Sequence, residues 1–249
     1  MARFVLVHGA FVGAWAWELL TERLVATGHT AEAFDNPGMG DDRTPVAEIT
    51  LDACVERLCD ALRDDEEPAI VVPNSMGGII TTMAAARCPE RVAGIVYVAA
   101  FLPEDGESLL DLTGLPEGAD DQVQANIVVE GDPPVATMPD EASTDALYGS
   151  CDADVAAWAI SHQRPQPVAP FDTPVSLDDP EAFDAIPRCY VLCTRDRAIP
   201  PPLQRLMAGR GSCMEVVELD TDHSPHLSAT EELAEVLDRL ATRLAPLAR

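Results

Sequence analysis

Short apolar runs recur along the chain, at residues 4–7, 69–72, 92–99 and 188–193. Unbroken runs of this length suit strands buried on both faces of a parallel sheet. Two further strands are expected at 30–34 and 214–219. Between the runs the apolar positions change to a spacing of three and four. Trp17, Leu20 and Leu24 share one face of a helix expected over 14–27, and Val55, Leu58 and Leu62 one face of a helix over 51–62. Helices are also expected from the seventies to about Cys88, at 203–208 and at 230–244. Strands alternating with helices predict an α/β fold, a mostly parallel sheet with helices on both faces.

The alternation stops between 102 and 186. That stretch is rich in proline and acidic residues and has only short helical pieces, such as 152–161. It is too long for a loop, and Leu147, Tyr148, Trp158 and Phe171 give it apolar material to pack, so an ordered cap is expected. The expected division is a core of 1–101 and 187–249 with a cap of 102–186.

Composition narrows the function. A formal net charge of −27 argues against nucleic acid and anionic membrane surfaces, which attract basic patches. No apolar run reaches the roughly 18 residues of a membrane span, and no signal peptide is evident. The seven cysteines are odd in number and nowhere spaced C-x-x-C, as expected of free thiols in a reducing, cytoplasmic setting. All 16 basic residues are arginine, so no lysine can act as a Schiff base or general base. The five histidines show neither H-x-x-x-H nor H-E-x-x-H spacing, so no metal and no cofactor is expected.

The chemistry centres on Pro73-Asn74-Ser75-Met76-Gly77-Gly78, between an expected strand and an expected helix. Strand, tight serine-bearing turn and helix form a nucleophile elbow, usually Gly-x-Ser-x-Gly. Here Pro73 stands in place of the first glycine. A serine hydroxyl needs a base, and the base needs an orienting acid. Asp196 and His223 each follow the end of a later strand, so Ser75, Asp196 and His223 gather at the carboxyl edge of the sheet in the chain order of an α/β-hydrolase triad. His226 is the rival base; His223 is preferred because it follows the strand directly, and His226 is expected to enter the last helix or face the cap. An oxyanion hole would use the N–H groups of Met76 and Ala10. His8 is expected to pack or hydrogen-bond in the first loop, His29 to lie on the surface, and His162 to lie in the cap, with contact to substrate the lesser alternative.

Several blocks resemble one known family. Phe4-Val5-Leu6-Val7-His8-Gly9-Ala10-Phe11, Gly13-Ala14-Trp15-Ala16-Trp17, Ser75-Met76-Gly77-Gly78, Ala99-Ala100-Phe101-Leu102-Pro103, the stretch from Cys193 to Pro200 and that from Asp222 to Ser228 are similar to those of the plant salicylic-acid-binding-protein, methyl-esterase and hydroxynitrile-lyase family. The resemblance implies an α/β-hydrolase fold with a small cap, a Ser75–His223–Asp196 triad, and Phe11 and Phe101 lining the substrate pocket. The family's lyases carry threonine where this chain has Gly9 and lysine where it has Ser224, so the esterase pattern is favoured. Pro73-Asn74 departs from the family's usual Gly-His or Gly-Glu.

The expected function is that of a serine hydrolase cleaving a small to medium apolar ester, lactone or thioester through an acyl-enzyme. The alternatives are a non-hydrolytic lyase, dehydratase or cyclase on the same fold, or a ligand-binding protein. The expected partner is a small-molecule substrate, and a homodimer is compatible with the chain.

Overall fold

The computed structural model describes residues 1–244, so 245–249 of the expected core segment lie outside the described residues. In chain order the strands are β1 (Arg3–Val7), β2 (Thr30–Ala33), β3 (Ala69–Ser75), β4 (Val92–Ala100), β5 (Val128–Glu130), β6 (Val135–Thr137), β7 (Gln166–Pro167), β8 (Arg188–Cys193) and β9 (Glu215–Leu219). Six of them form one sheet in the order β2-β1-β3-β4-β8-β9, with every pairing parallel.

The uniformly apolar runs divide between the two faces residue by residue. Val5, Val7, Val71 and Ile95 pack with the helices Leu51–Arg63 and Gly77–Arg87. Phe4, Leu6, Ile70 and Val96 pack on the other face with the helices Glu18–Ala26 and Thr230–Leu244. Side chains alternate across a strand, so a strand covered on both faces must be apolar at every position. Each large side chain buried in these layers contributes about 1.5–3 kcal/mol.

Two expectations change in detail. The helix expected over 14–27 is a 3-10 turn, Ala14–Trp17, followed by Glu18–Ala26. Strand β3 runs past 72, through Pro73 and Asn74 to Ser75. Its pairing with β4 keeps one offset on either side of the proline, Val71 with Ile95 and Asn74 with Val98. Its pairing with β1 continues to Val7 and Pro73. The proline therefore shifts no register. One register shift lies at the start of the strand, between Ala69 and Ile70, and the other comes two residues after the proline, where Ser75 pairs with Ala100 and Ala99 is left at φ 42° as a bulge.

Between β4 and β8 the chain adds no strand to the large sheet. It forms short helices and a small antiparallel sheet in the order β5-β6-β7. Leu147, Tyr148 and Phe171 are buried there, whereas Trp158 is 39% exposed and packs edge-on against Trp15 with ring centroids 5.1 Å apart. Arg164 ties this segment to the core: its backbone N–H donates to the Phe11 carbonyl at 2.9 Å, and its guanidinium donates to the Gly40 and Asp42 carbonyls. All seven cysteines are free thiols, five of them buried. Among the described residues no helix is long and apolar enough to cross a membrane.

Candidate active site

The strand order reverses between β1 and β3, which is where ligands gather in open α/β sheets. The loops leaving these neighbouring strands are His8-Gly9-Ala10 and Ser75-Met76. Ser75 has φ 54°, in the left-handed region that costs a non-glycine residue about 1–2 kcal/mol. Its surroundings hold it there. The Phe101 N–H donates to the Ser75 carbonyl at 3.1 Å. A Cβ on Gly78 would stand 1.9 Å from the Phe101 carbonyl oxygen, and one on Gly9 would stand 2.7 Å from the Ser75 Cβ. Both glycines are thus required by close approach. Met76 is the N-cap of the helix Gly77–Arg87, so its N–H has no intrahelical acceptor.

His223 and Asp196 meet at the same edge. The His223 Nδ1 lies 2.8 Å from the Asp196 Oδ2, and both side chains are buried. Asp196 is fixed from the far side as well. Its Oδ1 accepts from the N–H groups of Ala198 and Ile199 at 2.8 and 2.9 Å, and its Oδ2 accepts from the Gln204 Nε2 at 2.9 Å. The arginines beside it point elsewhere: Arg195 pairs with Asp220, and Arg197 with Asp145. Burial alone would depress the pKa of His223. The Asp196 charge and hydrogen bond, helped by Asp222 and Asp121, outweigh it and hold the imidazole above its ordinary value. With Nδ1–H donating to the carboxylate, Nε2 is the free acceptor.

Ser75, His223, Ala10 and Met76 line one narrow, largely enclosed cavity, and Phe11 and Phe101 line it too. Asp196 lies behind His223. The rest of the wall is mainly apolar, with Leu109, Val123, Ile127, Leu147 and Phe171 brought over from the cap. This arrangement sets a hydroxyl on a strained turn, a carboxylate-oriented imidazole and unpaired backbone N–H groups around a pocket shielded from water.

The remaining histidines sort by geometry. The His8 Nδ1 donates to the Gly9 carbonyl at 2.8 Å, and its Nε2 accepts from the Asn36 N–H at 2.9 Å. Burial lowers its pKa, so it is a neutral structural group. His29 is not on the surface. It is 8% exposed, bridges the Ala2 N–H to Asp238, and packs its ring edge-on against Phe4 with centroids 5.1 Å apart. His162 packs on Trp15 and Trp158 outside the cavity. His226 lies in the short helix Pro225–Ser228, ahead of the last helix, and lines the cavity with its ring 4.5 Å from that of Trp17. Burial, and then the nearby His223, push its pKa down to about 3.

Three polar residues of the site are missing from the sequence-based expectations. Gln204 props Asp196 and also accepts from the Cys193 N–H. Asp222 does not pair with the His223 ring. Its Oδ2 accepts from the Ser150 N–H of the cap at 2.7 Å, and its Oδ1 from the Ser224 N–H and the Ser228 hydroxyl. Asp121, in the cap, is 5% exposed and lines the cavity. A polar residue on an apolar helix face is the one sequence signal for Gln204. Nothing in the sequence separates Asp121 from its neighbour Asp120.

The model of the alpha/beta hydrolase family matches residues 4–236. Methylesterase 7 of Arabidopsis thaliana is 32% identical over 98% of this chain and 97% of its own length. Salicylic acid-binding protein 2 of Nicotiana tabacum is 28% identical over 96% of each. Among solved structures, polyneuridine aldehyde esterase superposes with a TM-score of 0.85 at 22% identity, covering 97% of this chain and 99% of that one. With the family model spanning most of the chain and a methylesterase matching from end to end, this chain belongs to the alpha/beta hydrolase family, in the branch that holds the plant methylesterases.

Proposed function

We propose that this chain is a serine carboxylesterase cleaving a small to medium apolar ester, lactone or thioester. One observation carries the reading: the His223 Nδ1 sits 2.8 Å from the buried Asp196 Oδ2, beside a cavity that Ser75 enters at φ 54°. In this mechanism the His223 Nε2 takes the Ser75 proton as the Oγ attacks the carbonyl carbon. The N–H groups of Ala10 and Met76 hold the oxyanion, and loss of one such donor typically costs about 10²–10³ in rate. The imidazolium then protonates the leaving alcohol or thiol. A water deprotonated by the same histidine attacks the acyl-enzyme, the Ser75 Oγ takes the proton back and the acid leaves.

The names of Methylesterase 7 and polyneuridine aldehyde esterase support carboxylic esters as the substrate class. The crowding at Gly9 supports the esterase over the lyase, since a threonine there would drive its Cβ to 2.7 Å from that of Ser75. The unshifted register at Pro73 supports an intact elbow, and with it hydrolysis over a non-hydrolytic reaction on the same fold. The test is turnover of a p-nitrophenyl ester together with fluorophosphonate labelling read by intact mass. Wild type gains one adduct and turns over; Ser75→Ala does neither. Unchanged turnover in Ser75→Ala removes Ser75 from the mechanism.

A further inference from the structure

Asp121 is a carboxyl group on the pocket wall, at the start of a short helix whose Val123 and Gln124, with the following Ile127, also line the cavity. Both hydrogen bonds found on it fall on Oδ1, which caps the short helix Gln122–Asn126 by accepting from the Val123 and Gln124 N–H groups at 2.7 and 2.9 Å. Among the described residues Oδ2 has no hydrogen-bond partner, on a side chain that is 5% exposed and lines the cavity beside Ser75 and His223. Capping this helix needs one oxygen, and an asparagine or serine would supply it. The second oxygen is surplus to the fold, and on a side chain that lines the cavity it is free to accept a hydrogen bond from a ligand.

We infer that Asp121 is a specificity residue whose Oδ2 accepts a hydrogen bond from a hydroxyl or ammonium group of the substrate, so that the preferred substrate is a hydroxylated or aminated ester rather than a plain aliphatic one. The inference rests on the esterase reading above. His226 lines the same cavity, and its buried Nδ1 has no hydrogen-bond partner among the described residues. Burial raises Asp121 to about 6 against the opposing cap N–H groups, so near neutral pH it is mainly a carboxylate, an acceptor only. The rest of the pocket still selects a compact apolar body. The specificity expected is therefore one polar donor at a defined distance from the ester carbonyl.

The experiment compares kcat/KM for methyl hexanoate with the methyl esters of 2-, 3- and 4-hydroxyhexanoate and their amino counterparts, in wild type, Asp121→Asn and Asp121→Ser. Both substitutions keep a capping oxygen, and thermal unfolding checks that they fold. Wild type is expected to favour at least one donor-bearing isomer by about tenfold or more, because a site built around a polar partner rejects the analogue lacking it. In both variants the ratio of kcat/KM for that isomer to kcat/KM for methyl hexanoate should fall toward one. Equal turnover of all the esters by wild type, or a preference unchanged in both variants, overturns the inference and leaves the esterase standing. If wild type turns over none of them and Ser75 takes no fluorophosphonate, the esterase reading itself fails and this inference with it.

Discussion

The Asn74 Nδ2 donates to the carbonyl oxygen of His223 at 3.1 Å, and it also donates to that of Val98 at 3.0 Å. One amide group thus joins the strand carrying the proposed nucleophile, across β4, to the loop carrying the proposed base. Asn74→Ala leaves the buried His223 carbonyl without this donor, which costs about 1–3 kcal/mol in stability. Small displacements of a base are costly, so kcat should fall about ten- to a hundredfold with KM little changed. The acidic limb of the pH profile should stay in place, because no charge is removed. Full kcat with a lowered Tm would limit Asn74 to a structural role.

The pH dependence follows from His223. The neutral imidazole is the base, and its pKa is held above the ordinary 6.5 chiefly by Asp196. Activity is therefore expected to be lost as pH falls through a value above 6.5. Removing a neighbouring negative charge makes the imidazolium less favourable, so Asp196→Asn and Asp121→Asn should both move the limb to lower pH. Asp196→Asn should in addition cut kcat by about 10⁴, through loss of the orienting carboxylate. A limb that moves to higher pH in either variant contradicts this electrostatic assignment.

Asp222 links the cap to the histidine loop, since one of its oxygens takes the Ser150 N–H and the other the Ser224 N–H. Asp222→Ala strips these two N–H groups and the Ser228 hydroxyl of their acceptor, at a cost of about 1–3 kcal/mol for each donor left buried. The weakening is expected to be local. Amide exchange around Ser150 and Cys151 should accelerate strongly while β3 and β4 stay protected, as in a sub-global opening. Uniform acceleration across the sheet would show that Asp222 supports the whole fold rather than the cap contact.

What was legible in the sequence followed from periodicity and chain order. The central strands were readable because burial on two faces demands unbroken apolar runs, and the gathering of Ser75, Asp196 and His223 at one sheet edge because each comes at or just after a strand end, although β9 is only half-buried. Pro73 was hard to interpret from sequence, since a proline inside a central strand usually argues against the strand. The structure keeps the register across it and places the nearer irregularity at Ala99 and Ser75. Asp121, Asp222 and Gln204 were not legible as site residues. Their roles depend on contacts between distant segments, such as Ser150 with Asp222, 72 residues apart. The burial of His29 was missed for the same reason, because its partner Asp238 lies on the last helix.

Gly9 offers the sharpest test of the elbow's packing. A Cβ there meets the Ser75 Cβ at 2.7 Å, closer than real Cβ contacts allow, and also lies 3.4 Å from the Asn74 carbonyl oxygen. Ser75 cannot retreat freely, because its φ of 54° and the Phe101 N–H bond to its carbonyl fix the turn. Gly9→Ala is therefore expected to displace the serine by a few tenths of an ångström, and to lower kcat about tenfold or more. Overpacking should cost about 1–3 kcal/mol in stability. Gly9→Thr, which is bulkier and branched at the crowded atom, should lose more of both. Pairing it with Ser224→Lys, to copy the two lyase positions, should not give cleavage of a cyanohydrin, because the backbone here has no room for the threonine. Initial rates on a p-nitrophenyl ester and on mandelonitrile, with thermal unfolding of each variant, decide the matter. Wild-type esterase rates in Gly9→Thr would show that the close packing of Gly9 on Ser75 is not what holds the elbow.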